Sequence, residues 1–332
     1  MKRRVLVTGG AGYVGVELVN ALVSKGYNVV VYDLFWFSSP DIFNDLLDNV
    51  TIFKEDIRNK EKLREAMREC DDIIHLACIS NDPSYELNPE LSKSINFDCF
   101  EDIVRIAKES SIERFIFASS SSVYGVREER NVTEELELRP LTDYSKYKAL
   151  CEDILLKYSD ESFTTVSIRP ATVCGYSRRL RLDVVVNILT NFAVNKNKIK
   201  VFGGEQLRPN IHIEDMVDCY LHVLNSPKKL INGKSFNVGC ENYKVIELAE
   251  IISKATGVEE IEIVETDDNR SYHISSEKIS SELGFVTKRS VSAAVHSLVE
   301  NFRKGNIPES FEDNRYFNVR YLQDNLIDEN CT

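Results

Sequence analysis

Residues Thr8–Gly15 read T-G-G-A-G-Y-V-G, and two glycine patterns run through them: G-x-G-x-x-G through Gly10, Gly12 and Gly15, and T-G-x-x-G-x-x-G through Thr8, Gly9, Gly12 and Gly15. The run R-R-V-L-V-T before the loop has the length and composition of a buried strand, and a helical pattern from Tyr13 to Lys25 follows it. A glycine turn between strand and helix brings bare backbone N–H groups and the positive helix end to a pyrophosphate. Gly9, Gly12, Tyr13, Val14 and Gly15 are therefore candidate contacts to a dinucleotide.

Working outward, apolar runs of strand length keep alternating with helical patterns. Y-N-V-V-V-Y-D, N-V-T-I-F-K-E-D, D-D-I-I-H-L-A and R-F-I-F-A-S read as strands. A charged helix and a long helix from about Pro89 to Ser110 separate the later ones. This alternation specifies a parallel sheet covered on both faces, an α/β doubly wound fold. A helix from Tyr144 to Lys157 and the strand T-T-V-S-I-R-P complete a first domain over residues 1–174. Residues 175–332 read as a smaller C-terminal α/β substrate-binding lobe, interleaved with the last strands of the sheet.

Asp33 ends the second strand, where a carboxylate can bond both ribose hydroxyls of NAD and repel the additional phosphate of NADP. No arginine follows in D-L-F-W-F, so NAD is the expected cofactor; a solvated strand-end aspartate is the alternative reading. Asp56 and Ile57 end the third strand and are candidate adenine contacts, with an exposed loop acid as the alternative at Asp56.

The 332 residues carry a formal net charge of −12, which argues against nucleic acid or an anionic membrane as partner, because nothing in the balance would neutralise phosphates. No apolar stretch approaches the roughly 18 residues of a membrane span. The start, M-K-R-R-V-L-V-T-G-G-A-G, is basic, but its apolar part is too short for a secretory signal, so the expected location is the cytoplasm. Eight cysteines are scattered without C-x-x-C pairs and read as reduced, mostly buried thiols. None of the five histidines has metal-ligand spacing, so no metal is expected, and His75 reads as packed beside the cofactor.

Y-S-K-Y-K places Tyr144 and Lys148 four apart on one helix, so both project from the same face. A free phenol, with a pKa near 10, is a poor base at neutral pH. A neighbouring ammonium and a cationic nicotinamide favour the phenolate, which would let Tyr144 take a proton from a sugar hydroxyl while hydride leaves to the cofactor.

With these motifs the chain resembles the extended short-chain dehydrogenase/reductase superfamily, and within it the NAD-dependent nucleotide-sugar epimerase/dehydratase family. The resemblance runs from the glycine loop through Asp33, D-I-R, H-L-A, Asn96, S-S-S-S-V-Y-G, Y-S-K-Y-K and R-P-A-T-V-C-G to G-G-E-Q-L-R-P-N-I-H-I-E-D. It implies a Rossmann fold and adds Leu76, Ala77 and Asn96 to the cofactor contacts. In such proteins the catalytic Ser or Thr lies four residues before the tyrosine of V-Y-G, which marks Ser120 as the partner of Tyr144 and Lys148. Sugar 4,6-dehydratases usually carry Asp-Glu after it; here stand Ser121 and Ser122, which favours 4-epimerisation.

The resemblance further places Arg208 and Arg270 at the substrate diphosphate, with surface ion pairs as the alternative. The cluster Arg178, Arg179 and Arg181 is a weaker candidate for that place. Ser80 and Asp82, after the fourth strand, are candidate sugar contacts. Cys78 after H-L-A and Cys174 within V-C-G depart from the usual pattern. The expected activity is that of an NAD-dependent 4-epimerase of a nucleotide-activated sugar. Net nucleotide-sugar oxidoreduction, dehydration, and a non-catalytic NAD-binding sensor or scaffold are the alternatives. A homodimer through the Pro89 and Tyr144 helices is expected, using Ile103, Ile106 and Leu150 if they face outward.

Overall fold

β1 (Arg4–Thr8) has four consecutive buried residues, Val5 to Thr8, as expected for a strand covered on both faces. On one side it pairs in parallel with β2 (Asn28–Asp33), and β2 pairs with β3 (Val50–Lys54). On the other side lie β4 (Asp72–His75), β5 (Arg114–Ala118) and β6 (Thr164–Pro170), all parallel. The sheet therefore reverses its strand order between β1 and β4, and the crevice outside their carboxyl ends is where such folds take a ligand. The computed structural model describes residues 3–127, 129, 131–266 and 273–326.

Alternate side chains of each strand divide the core into two layers. Val5, Val7, Val29 and Val31 face the helices Tyr13–Ser24 and Ile213–Asn225, whereas Leu6, Val30, Ile73, Phe115 and Phe117 face Lys60–Met67, Phe100–Glu109 and Asp143–Tyr158. Fully burying one such side chain is worth about 1.5–3 kcal/mol. No helix among the described residues is long and apolar enough to cross a membrane.

Outside that sheet a second group of strands consists of β7 (Thr172–Cys174), β8 (Ile199–Phe202), β9 (Leu207–His212), β11 (Glu241–Lys244) and β12 (Ile261–Val264), with β7 ahead of the expected boundary at residue 174. These form a three-stranded sheet, β11-β9-β7, and a two-stranded one, β12-β8. The helices Val185–Lys196, Val245–Thr256 and Val291–Arg303 enclose its own apolar core. The chain beyond residue 174 also returns to the main sheet: β10 (Lys234–Val238) pairs in parallel with β6 as its seventh strand.

Two features differ from the sequence expectations. The long helix from Pro89 is interrupted: Pro89–Lys93 opens into a wide π-type turn, Ser94–Asp98, before Phe100–Glu109. Within that turn the Asn96 amide accepts from the Ile79 N–H at 2.8 Å and donates to the Ile79 carbonyl at 2.9 Å. Ile103 and Ile106 face the sheet, fully buried, so neither contributes to an outer contact; Leu150 is half-buried.

Candidate active site

A cavity of about 900 Å³ opens along the carboxyl ends of β1, β2, β4 and β5. Gly9, Gly12, Tyr13, Val14, Gly15, Asp33, Ile57, Leu76 and Ala77 all line it. The glycine loop is tight. Gly9 holds φ +70°, and a Cβ there would lie 2.6 Å from the Ala77 nitrogen; at Gly15 it would lie 2.2 Å from the Gly9 carbonyl oxygen. Gly12 caps the first helix in an extended conformation with no side-chain bond to the free N–H groups and no acid in the first turn, which leaves that end open to an anion. Asp33 accepts N–H bonds from Ala11 at 2.9 Å and Phe35 at 2.7 Å; burial nonetheless pushes its carboxyl pKa upward. This loop, followed by a strand-end carboxylate, fits NAD.

Two expected cofactor contacts take other partners. Asp56 is not in the cavity wall: its carboxylate is held in a fork by Arg58 at 2.5–3.1 Å, while Ile57 and Glu55 line the cavity. Asn96 is also absent from the wall, because both ends of its amide are spent on Ile79. It supports the loop that follows β4 from behind.

At the inner end, the serine run splits by hydrogen-bond partner. Ser119 donates to the buried carboxylate of Glu152, which Arg169 grips at 2.6–3.1 Å. Ser121 is buried. Ser120 and Ser122 share a hydrogen bond at 2.8 Å, and all four serines line the cavity with Tyr144 and Lys148.

Lys148 shares the inner end of the cavity with Tyr144. Its ammonium donates to the Ala118 carbonyl at 2.6 Å and lies 5.9 Å from the centre of the Tyr144 ring. Burial holds the Tyr144 pKa well above its ordinary value, with Cys78 and Asp82 adding to the effect. Arg181 and Ser120 oppose it. His75 is buried beside Phe100, Phe115 and Phe117, with Nδ1 2.8 Å from the Thr8 hydroxyl.

Ser80, Asp82, Arg208 and Cys78 line the cavity; Cys174 is buried away from it, with its thiol on the Ile211 carbonyl. Arg270 lies outside the described residues. Of the arginine cluster, Arg178 turns to Glu17, whereas Arg179 and Arg181 enter the cavity wall. Arg181 donates to Asp183 at 2.6 Å and to Ser80 at 3.0 Å. Ser80 also accepts from Asn318, at the start of the helix Asn318–Leu326, at 3.1 Å. Sequence reasoning missed Asn318, and no local motif marks it; only the return of the chain end brings it there.

A dinucleotide crevice at the reversal point of a parallel sheet, closed at its inner end by a Tyr-x-x-x-Lys helix and a strand-end serine, is the architecture of an NAD-dependent enzyme of the extended short-chain dehydrogenase type. Comparison with known proteins narrows the class. The model of the NAD dependent epimerase/dehydratase family matches residues 5–239, and the chain belongs to that family. It is 28% identical over 267 residues to a UDP-N-acetyl-alpha-D-glucosaminuronate decarboxylase of Bacillus cytotoxicus, covering 77% of this chain and 81% of that protein. A UDP-glucose 4-epimerase of Lactobacillus helveticus is 24% identical over 275 residues, covering 77% and 82%. The crystal structure of the Thermotoga maritima UDP-glucose 4-epimerase with UDP-glucose superimposes with a TM-score of 0.82, over 91% of this chain and 99% of that one, at 23% identity.

Proposed function

We propose that the protein is a nucleotide-sugar 4-epimerase working through a transient 4-keto sugar. The observation that carries this reading is the set Ser120, Tyr144 and Lys148 at the inner end of the cavity, with the serines 121 and 122 where a dehydratase would need an acid pair. NAD, when bound, would accept the hydride from carbon 4 and give it back to the opposite face of the keto sugar, and would supply the positive nicotinamide. Ser120 holds the sugar oxygen at carbon 4 and Tyr144 takes its proton. Burial keeps the resting phenol protonated, so its deprotonation relies on nearby positive charge, to which Arg181 contributes. Lys148, anchored on the Ala118 carbonyl, orients the nicotinamide ribose. Once the keto sugar turns over in the cavity, Tyr144 returns the proton.

In this reading Asp33 binds the adenosine ribose, Arg208 the substrate diphosphate with Arg270 beside it, and Ser80 and Asp82 the sugar. Residues 175–332 act as the substrate-binding lobe, and the protein works in the cytoplasm as a homodimer. A half-exposed apolar stripe on the Tyr144 helix, formed by Tyr147, Leu150, Ile154 and Tyr158, supports the dimer. The UDP-sugar relatives make UDP-glucose the first substrate to try.

The test is turnover of UDP-glucose with product analysis, alongside the NAD content of each protein. Tyr144→Phe and Ser120→Ala should each lose about 10²- to 10⁴-fold in rate while keeping NAD, because a positioned proton acceptor or donor is worth that much. Wild-type activity in both variants would overturn the assignment. Accumulation of keto product without epimer would replace epimerisation by net oxidation.

A further inference from the structure

Arg179 belongs to the lobe, on the loop that follows β7, yet it faces the cofactor half of the cavity. The loop is fastened to the start of the first helix. Ser177 donates its hydroxyl to the Tyr13 carbonyl at 2.8 Å, and the Arg178 N–H donates to Glu17 at 2.9 Å. Arg179 is 4% exposed, with its guanidinium carbon 4.3 Å from the centre of the Phe37 ring. Nη2 donates to Asn318 at 2.6 Å, and Nε has no acceptor.

Among the described residues no carboxylate pairs with Arg179. The two that act on it electrostatically are engaged elsewhere: Asp183 with Arg181, and Asp33 with two backbone N–H groups. Burial, and then the charge of Arg181, push the Arg179 pKa down to about 9. A buried guanidinium with an orphan N–H and no counter-ion is costly unless a ligand anion meets it. The wall it shares with Gly12, Tyr13 and Val14 is the helix end that attracts a pyrophosphate.

We infer that Arg179 binds the pyrophosphate of the dinucleotide, so that the substrate lobe supplies a cation to a cofactor otherwise cradled by backbone N–H groups. The nucleotide then bridges the two halves of the chain and stays bound while the sugar passes through both of its oxidation states. This rests on the cofactor site and not on the reaction proposed above.

The experiment titrates the full chain, freed of carried-over nucleotide, with ADP-ribose, adenosine, NAD and NADP by calorimetry. Arg179→Gln should weaken ADP-ribose and NAD by about 10- to 100-fold, the worth of a hydrogen bond to a charged group, and leave adenosine within about twofold. It should also bind ADP-ribose with a shallower salt dependence. Equal binding of ADP-ribose by variant and wild type would overturn the inference. So would an equal loss of adenosine, which marks a structural role, or a loss confined to NADP, which marks a site for the 2′-phosphate. If Arg179→Gln does not fold, Arg179→Lys decides: a point charge in place of the planar fork should still weaken ADP-ribose more than adenosine, and equal effects on the two would overturn the inference.

Discussion

His75 occupies a position from which a histidine could serve as an acid or base, and its surroundings remove that capacity. Burial among three phenylalanines, and then the charge of Lys148, push its pKa down to about 3, from about 6.5 in an unfolded chain. Between those values the unfolded chain takes up a proton that the folded one refuses. The stability present above pH 6.5 is therefore lost as pH falls, at about 1.4 kcal/mol per pH unit near pH 5 from this group. Denaturant titrations between pH 7 and pH 4.5 should show His75→Asn flattening the slope by about one proton; an unchanged slope would show that His75 is not the group responsible. The serine run teaches the same lesson. Four identical side chains in succession acquire different partners, Glu152 for Ser119 and each other for Ser120 and Ser122, because the backbone leaves β5 there and turns.

Among the elements, the join of strand, glycine loop and first helix is tightly packed. A methyl group at Gly15 would overlap the Gly9 carbonyl oxygen at 2.2 Å and the Gly10 carbonyl carbon at 2.8 Å. Both are backbone atoms and cannot swing aside. Gly15→Ala should therefore cost about 1–3 kcal/mol and weaken NAD by opening the loop, measured as a lower thermal midpoint and a lower NAD content in the purified protein. Unaltered values in both would mean that the loop yields freely. The interrupted helix at Ser94–Asp98 illustrates the opposite case, in which a tertiary bond modifies an element. Pro89 and the apolar spacing after it specify a helix start and a helical face. The wide turn accompanies Asn96 reaching across to Ile79, a partner 17 residues away in sequence.

For the whole molecule, the proposed dimer follows from the half-exposed stripe of the Tyr144 helix, since apolar surface repeating at helical spacing gains by being covered. Light scattering at micromolar concentration should give the mass of two chains, and Leu150→Lys with Ile154→Asp should give one; a monomeric wild type would reject the dimer. Ile103 and Ile106 show why periodicity alone does not name an interface: the inward and outward faces of an amphipathic helix are told apart only by what the sheet covers. By itself the sequence determined the doubly wound sheet, the glycine loop, the strand-end Asp33 and the Tyr144–Lys148 pair. Each of these rests on local spacing, the period of two in strands, the period of 3.6 in helices, or a turn that only glycine tolerates. The tertiary structure alone decided that Asn96 pairs with Ile79, that Lys148 bonds the Ala118 carbonyl, and that Arg179, Arg181 and Asn318 meet beside Ser80. Those contacts join residues up to 238 positions apart, and no local pattern encodes a partner at that distance; it is set by how the lobe and the chain end pack against the sheet.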